Sequence, residues 1–222
     1  TVAHSTNTAY DSSLNGTIGI GSTAPNTTAG TCTSGTSSEA WNNGATGKFN
    51  ASLDLDGVDD KVTITDTANL RFDTATQDFS LFAWVKRGTT GAIQYVLGKE
   101  DADNDGWRLM INANDTVTCS EDATDVTSTV TIADTNWHHI GCSIARAGNG
   151  QVYIDGKATG TATAMGSDAM ATTSNITIGT RSYTSTNYFD GQIDDVRIFN
   201  YALTGIQIKT LMNEGSAVRF GL

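Results

Sequence analysis

From Lys48 onward the apolar residues of this chain recur at every second position, the spacing of a pleated strand with one face buried. Val62-Thr63-Ile64 is a short example, and the run Phe79-Ser80-Leu81-Phe82-Ala83-Trp84-Val85 is apolar enough for a strand covered on both faces. Tyr95–Leu97, Trp107–Ile111, Trp137–Ile144, Gln151–Ile154, Asn175–Ile178 and Gln192–Asn200 continue the pattern. Asn149-Gly150 and Asp155-Gly156 supply the residue types that tolerate the positive φ of tight hairpin turns, so both positions are read as turns. Helical spacing emerges in one place, Thr204–Asn213, where Ile206, Ile208, Leu211 and Met212 form an apolar stripe. Residues 1–47 are rich in Ser, Thr, Gly and Asn and hold the single proline, Pro25. They are read as an opening strand near Asn15–Ile20 followed by an irregular insert through Trp41. Many short strands with frequent turn signals predict an all-β fold, a two-sheet antiparallel β-sandwich with one short C-terminal helix. The length suits one domain spanning 1–222.

Composition sharpens this picture. The chain carries 20 Asp and four Glu against 13 Lys plus Arg, for a net charge of −11. Such a surface repels nucleic acid and anionic lipid, and no basic stripe offsets it. Asp in loops also suits a hard cation, calcium above all, as well as the plain capping of turns. No apolar run approaches the roughly 20 residues that cross a bilayer, so no membrane insertion is expected. The polar start reads as a processed product or an excised domain. Cys32, Cys119 and Cys142 match no zinc spacing, and Cys119 and Cys142 share strand parity with Val117, Ile140 and Ile144. Both should face the core, as a disulfide or as two buried thiols, with the bridge favoured in an extracellular setting. Asn15, Asn26, Asn50, Asn114 and Asn175 begin Asn-x-Ser/Thr sequons.

Five segments in order resemble the laminin-G-like branch of the concanavalin A-like lectin/glucanase superfamily. They are Asp11–Thr17, Leu53–Val62, Phe79–Val85, Trp137–Ile140 with Val152–Lys157, and Phe189–Leu203. The resemblance implies a jelly roll of two facing sheets and a binding role. It also implies that the last strand lies beside the early one, which would bring Asp56, Gly57 and Asp59 together with Asp194 and Asp195 around a structural calcium. In that alignment Asp194 is a ligand and Gly57 offers its carbonyl; the alternative is that Asp56-Gly57 makes a turn and Asp194 caps backbone amides. A weaker second candidate is Asp101, Asp103 and Asp105, spaced like the first half of an EF-hand loop but without the closing Glu. Pentraxins place calcium ligands in the equivalent loop, yet their acidic partner loop is here Arg181–Asn187.

The chemistry of hydrolysis is missing. None of Glu39, Glu100, Glu121 and Glu214 has a second Glu within reach along a strand, so the paired carboxylates of a retaining glycosidase are absent. No Gly-x-Ser-x-Gly elbow occurs, and Gly150–Ala158 lacks the spacing and the hydroxyl of a phosphate-binding loop. His138 and His139 are adjacent on a strand and point to opposite faces, so they cannot chelate one ion. Trp84, Trp107 and Trp137 lie in strand patterns and are read as packing residues. Arg181, Tyr183, Asn187 and Tyr188 lie in a loop, where a planar ring can stack on a sugar, and form the candidate ligand site. The expected function is a non-catalytic extracellular binding or adhesion module for a glycan or surface protein. The alternatives are a structural subunit of a surface filament or large adhesin, self-assembling through sheet edges, and, last, a glycoside hydrolase.

Overall fold

The computed structural model describes residues 8–10, 15–19, 47–49, 52–166, 170 and 172–213. Cys32, Trp41, Glu39, Glu214, the insert 23–45 and the expected return to the sheet at 214–220 lie outside these residues. In chain order the strands are β1 (Thr8–Tyr10), β2 (Asn15–Gly19), β3 (Leu53–Asp56), β4 (Lys61–Ile64), β5 (Phe79–Arg87), β6 (Gln94–Glu100) and β7 (Gly106–Ile111). They continue with β8 (Thr116–Glu121), β9 (Thr124–Thr131), β10 (Trp137–Ile144), β11 (Asn149–Ile154), β12 (Lys157–Ala164), β13 (Ile176–Ile178) and β14 (Asp190–Phe199), and then helix α1 (Gly205–Asn213). An eight-stranded sheet has the order β1-β2-β4-β13-β6-β7-β8-β9, and a six-stranded sheet the order β12-β11-β10-β5-β14-β3. All pairings are antiparallel. The expected antiparallel sandwich with a C-terminal helix is the architecture observed.

Alternation decides which residues meet between the sheets. Leu81, Ala83 and Val85 of β5 and Ile140 and Ile144 of β10 face inward against Leu97, Leu109, Ile111 and Val117, and all belong to one buried cluster. Each such side chain contributes about 1.5–3 kcal/mol by leaving water. Cys119 on β8 and Cys142 on β10 join the two sheets through a disulfide, with Cα atoms 6.3 Å apart. Along one margin β9 and β12 close on each other. Thr159 Oγ1 there accepts N–H bonds from Thr129 (3.3 Å) and Val130 (3.1 Å). A Cβ on Gly160 would lie 2.1 Å from the Thr127 carbonyl, so only glycine permits this approach. These two strands were missed in the sequence because Thr, Ala and Gly dominate them and their outward positions are exposed.

One expected turn is displaced. Asn149-Gly150 lies within β11, and the reversal runs through Ala145–Gly148, closed by the Gly148 N–H on the Ala145 carbonyl at 2.8 Å. Arg146 sets it there. Its buried guanidinium donates to Glu121 Oε1 (2.6 Å) and to the carbonyls of Phe72 and Thr74 (2.8 Å each), which draws the turn inward. Gly150 then packs flat against Met165 and Ile144. Asp155-Gly156 does form the expected turn, with φ of +49° and +71°.

The two histidines part as their adjacency requires. His139 is buried and stacked on Phe82 at 5.2 Å, and burial pulls its pKa down to about 4. His138 bridges Asp155 Oδ2 (2.9 Å) and Asp134 Oδ1 (3.1 Å), and the bond to Asp155, followed by that to Asp134, holds its pKa above the ordinary 6.5. A raised folded-state value stabilises the fold below pH 6.5 and is lost as pH climbs through the raised value. The melting-temperature difference between the native chain and His138→Gln is therefore expected to be largest below that pH and to shrink on alkalinisation; thermal melts across pH check it. Replacing both Cys119 and Cys142 by Ala is expected to cost about 2–5 kcal/mol in chemical denaturation.

Candidate functional site

The β3–β4 connection is built from residues that must turn sharply and carry charge while doing so. Asp56 Oδ1 accepts the N–H groups of Val58 (2.9 Å) and Asp59 (3.3 Å), folding the chain over Gly57 at φ +76°. A Cβ at Gly57 would stand 2.8 Å from Asp190 Cβ, so the glycine is required twice, by its dihedral and by its neighbour. Asp60, itself buried, accepts the Asp56 N–H through Oδ2 at 3.2 Å. The turn thereby gathers Asp56, Asp59 and Asp60 into a group of three carboxylates whose ligand-type oxygens all lie within 4.8 Å of one another. Asp56 Oδ2 and Asp59 Oδ1 are buried there and make no hydrogen bond. Asp190 on β14 is the register partner of Asp56, which sets a fourth acid directly across the strand pair.

Asp60, which closes the same acidic segment in the sequence, is the third member of the group beside Asp56 and Asp59. Asp194 and Asp195 are not part of the group. Asp194 lies four residues along β14 from Asp190, about 13 Å at strand rise. It accepts the N–H groups of Phe49 (2.7 Å) and Asp195 (2.8 Å), and burial still pushes its carboxyl above the usual carboxylate range. Asp195, at φ +49° in a bulge of β14, pairs with Arg197 Nε at 2.8 Å. Asp101 spends Oδ1 on the N–H groups of Asp103 (3.0 Å) and Asp105 (3.1 Å), and among the described residues these three acids form no converging group.

The candidate ligand residues sit in the β13–β14 connection, which folds back over the outward face of the eight-stranded sheet. One end is tied to the acidic turn by Lys61 Nζ on Ser185 Oγ (2.8 Å), and its return is tied to β6 by the Tyr95 N–H on the Asn187 carbonyl (3.0 Å). The other end is held by Glu100. Ser182 Oγ takes up the Glu100 N–H (2.8 Å) and donates to its carbonyl (2.9 Å). The fully buried Glu100 carboxylate receives Arg181 Nε at 2.6 Å and Arg108 Nη1 at 3.1 Å. Arg181 Nη2 reaches Asn104 Oδ1 at 2.7 Å and so fastens this loop to the Asp101–Asp105 loop. With its donors thus directed inward, Arg181 serves as a platform. Its guanidinium carbon lies 4.5 Å from the Tyr183 ring centroid and 5.7 Å from that of Tyr95. Tyr183 is exposed, as is Asn187; Tyr188 is half-buried beside the core residue Phe189. Val58 on the acidic turn and Ile93 in the β5–β6 loop are further apolar groups left to solvent.

These elements make an antiparallel two-sheet sandwich of the jelly-roll kind. Residues 56–209 match the family profile described as the concanavalin A-like lectin/glucanases superfamily, in its laminin-G-like form. The chain belongs to that family. A search of curated proteins finds no match. Among solved structures it is similar to the binding domain of botulinum neurotoxin serotype G, with TM-score 0.62 and 15% identity over 93% of this chain and 48% of that one. It is also similar to the binding domain of Paraclostridial Mosquitocidal Protein 1, with TM-score 0.59 and 19% identity over 76% of this chain and 44% of that one. A third is domain 4 of AbnA, an extracellular GH43 arabinanase of Geobacillus stearothermophilus solved with arabinotriose, with TM-score 0.54 and 23% identity over 77% and 83%. The chain spans about half the length of the two toxin structures, and at these identities the likeness is one of fold.

Glu100→Gln removes the charge on which Arg181 is seated, while Arg108 retains Asp125 at 3.3 Å. The expected result is a loss of about 3 kcal/mol, with a Tm several degrees lower in a thermal melt.

Proposed function

We propose that the chain is a non-catalytic, extracellular binding and adhesion module that recognises a glycan or a surface protein through the β13–β14 loop, with calcium held by the adjoining acidic turn. The observation that carries the reading is the acidic turn itself: three carboxylates within 4.8 Å, a fourth in register across the strand, and two buried oxygens with no hydrogen bond. Carboxylates gathered this way repel one another, and a divalent cation is the partner that reverses the sign of the interaction. Asp56, Asp59 and Asp60 would supply its carboxylate ligands, and calcium would complete its shell with backbone carbonyl and water oxygens. When bound, the ion supplies positive charge that fixes the turn. Lys61 transmits that order to Ser185 and thus to the loop that shows Tyr183.

The remaining support is chemical. Glu100 and Glu121 are each engaged by arginine and are buried, so neither is presented to a substrate as an acid or base. The disulfide suits an oxidising, extracellular setting. One domain similar in fold is solved with arabinotriose and another binding domain with rat synaptotagmin II, which supports a glycan or a protein as the ligand.

Calcium chloride added to chelator-treated protein is expected to raise Tm, and Asp56→Asn with Asp59→Asn to abolish the rise. At about one hundred times Kd the gain is about 2.7 kcal/mol. An unchanged melt at millimolar calcium refutes the metal. On a glycan array with calcium present, Tyr183→Ala is expected to lose the signal that the native chain gives, and a signal indifferent to that change refutes the loop.

A further inference from the structure

The β7–β8 hairpin ends in a short reversal, Asn112-Ala113-Asn114-Asp115, with Ala113 and Asn114 exposed at its tip. The Asp115 N–H on the Asn112 carbonyl (2.9 Å) and the Asn112 N–H on the Thr116 carbonyl (2.8 Å) close it. Asp115 takes the left-handed conformation there, at φ +62°, which a short polar side chain tolerates. It also fastens the reversal to its surroundings. Asp115 Oδ1 accepts Arg87 Nη1 (2.6 Å) and the Gly91 N–H (2.8 Å), and its carbonyl accepts the Ile132 N–H (2.9 Å). Arg87 is buried, so the exposed tip is carried on a fixed base.

Asn114, Asp115 and Thr116 make up one of the Asn-x-Ser/Thr sequons, and neither the acidic turn nor the ligand loop uses them. Asn114 Oδ1 accepts the hydroxyl (2.7 Å) and the N–H (3.3 Å) of Thr116. Its Nδ2 makes no hydrogen bond among the described residues, so a substituent on that nitrogen breaks none. The charge in the middle of the sequon is turned inward, since Asp115 is paired with Arg87. Asn175 heads the other sequon whose side chains are described, and its setting differs. It abuts β13, an interior strand between β4 and β6, and its Oδ1 accepts the Asp66 N–H at 3.1 Å. Thr177 of that sequon is buried, with its hydroxyl on the Thr180 carbonyl at 2.8 Å. Of the two, Asn114 is the one at a loop tip, where a bulky hydrated group has room outside the sheets.

We propose that Asn114 is an N-glycosylation site, taking a hydrophilic oligosaccharide from a lipid-linked glycosyl diphosphate. In the transfer, Asn114 Nδ2 forms a bond to the anomeric carbon of the first sugar. The bond from that carbon to the diphosphate oxygen breaks with its electron pair on the leaving group, and one Nδ2 proton passes to the transferring enzyme. Transfer onto the emerging chain precedes closure of the hairpin, so Thr116 is read before it is buried. The fold then has to supply room for the product, and the exposed tip supplies it. The inference rests on the extracellular setting proposed above, but uses neither calcium nor Tyr183. The test is translation of the full chain behind a cleavable signal peptide in a cell-free system with microsomes, and secretion of the same chain by cultured eukaryotic cells. Peptide N-glycosidase and mass spectrometry of the peptide holding Asn114 then read occupancy, whether or not a variant folds. A glycan is expected on Asn114 in both systems and is expected to be lost in Asn114→Gln. Thr116→Val, which keeps the asparagine and removes the hydroxyl, should lose it as well. A bare Asn114 in either system, or a glycan that survives Thr116→Val, overturns the site. Retention of the glycosylated chain inside the cell while Asn114→Gln alone is exported overturns it too, because the fold then has no room for the sugar. None of these results touches the calcium melt or the glycan array, which use unglycosylated protein.

Discussion

The pairing of β14 with β5 on one side and β3 on the other is the constraint on which the acidic turn depends. One end of this ten-residue strand sets Asp190 opposite Asp56 and closes over Gly57. Toward the other end a register shift lets Asp195 and Arg197 meet, and the chain then leaves as the Tyr201 turn. The acidic turn and the exit of β14 toward α1 are thus positioned by a single backbone ladder. A one-residue slip would exchange the two faces of β14 and dismantle both at once.

Charge is handled in the interior by pairing. Arg146 with Glu121, Lys99 with Asp66, and Arg87 with Asp115 each place a buried cation against a carboxylate. Replacing such pairs with apolar residues is often neutral, whereas removing one partner is expensive, so their contribution is to fix loop positions more than to add stability. Arg146 illustrates this, since its contacts with Phe72 and Thr74 determine where the β10–β11 reversal occurs. The acidic turn departs from this habit. It gathers like charges, and Lys61, which follows it in the chain, gives its ammonium to a serine hydroxyl.

The sandwich was largely legible because period-two alternation on β7, β10 and β11 and the continuous apolar run of β5 are strong signals, and the Asp155-Gly156 turn is local chemistry. The inward parity of Cys119 and Cys142 was legible for the same reason, and the structure joins them. β9 and β12 were not legible, since their positions are fixed by each other and by Gly160, a contact between distant segments. The acidic turn was visible as a cluster, but the membership of Asp194 and Asp195 was inferred from strand adjacency without register. Adjacent strands still leave residues four positions apart well separated, and those two acids went instead to backbone amides and to Arg197. For the ligand loop, sequence marked Arg181 and Tyr183 as equals. The geometry divides them into a support, seated on Glu100, and an exposed ring.

In the β13–β14 loop the anchoring groups are backbone atoms, the serines Ser182 and Ser185 and a buried ion pair, while the ring that faces solvent anchors nothing. Foundation and fingertip are therefore carried by different residues. A lineage could exchange its fingertip again and again, trying new partners, while the hand that holds it out stays still.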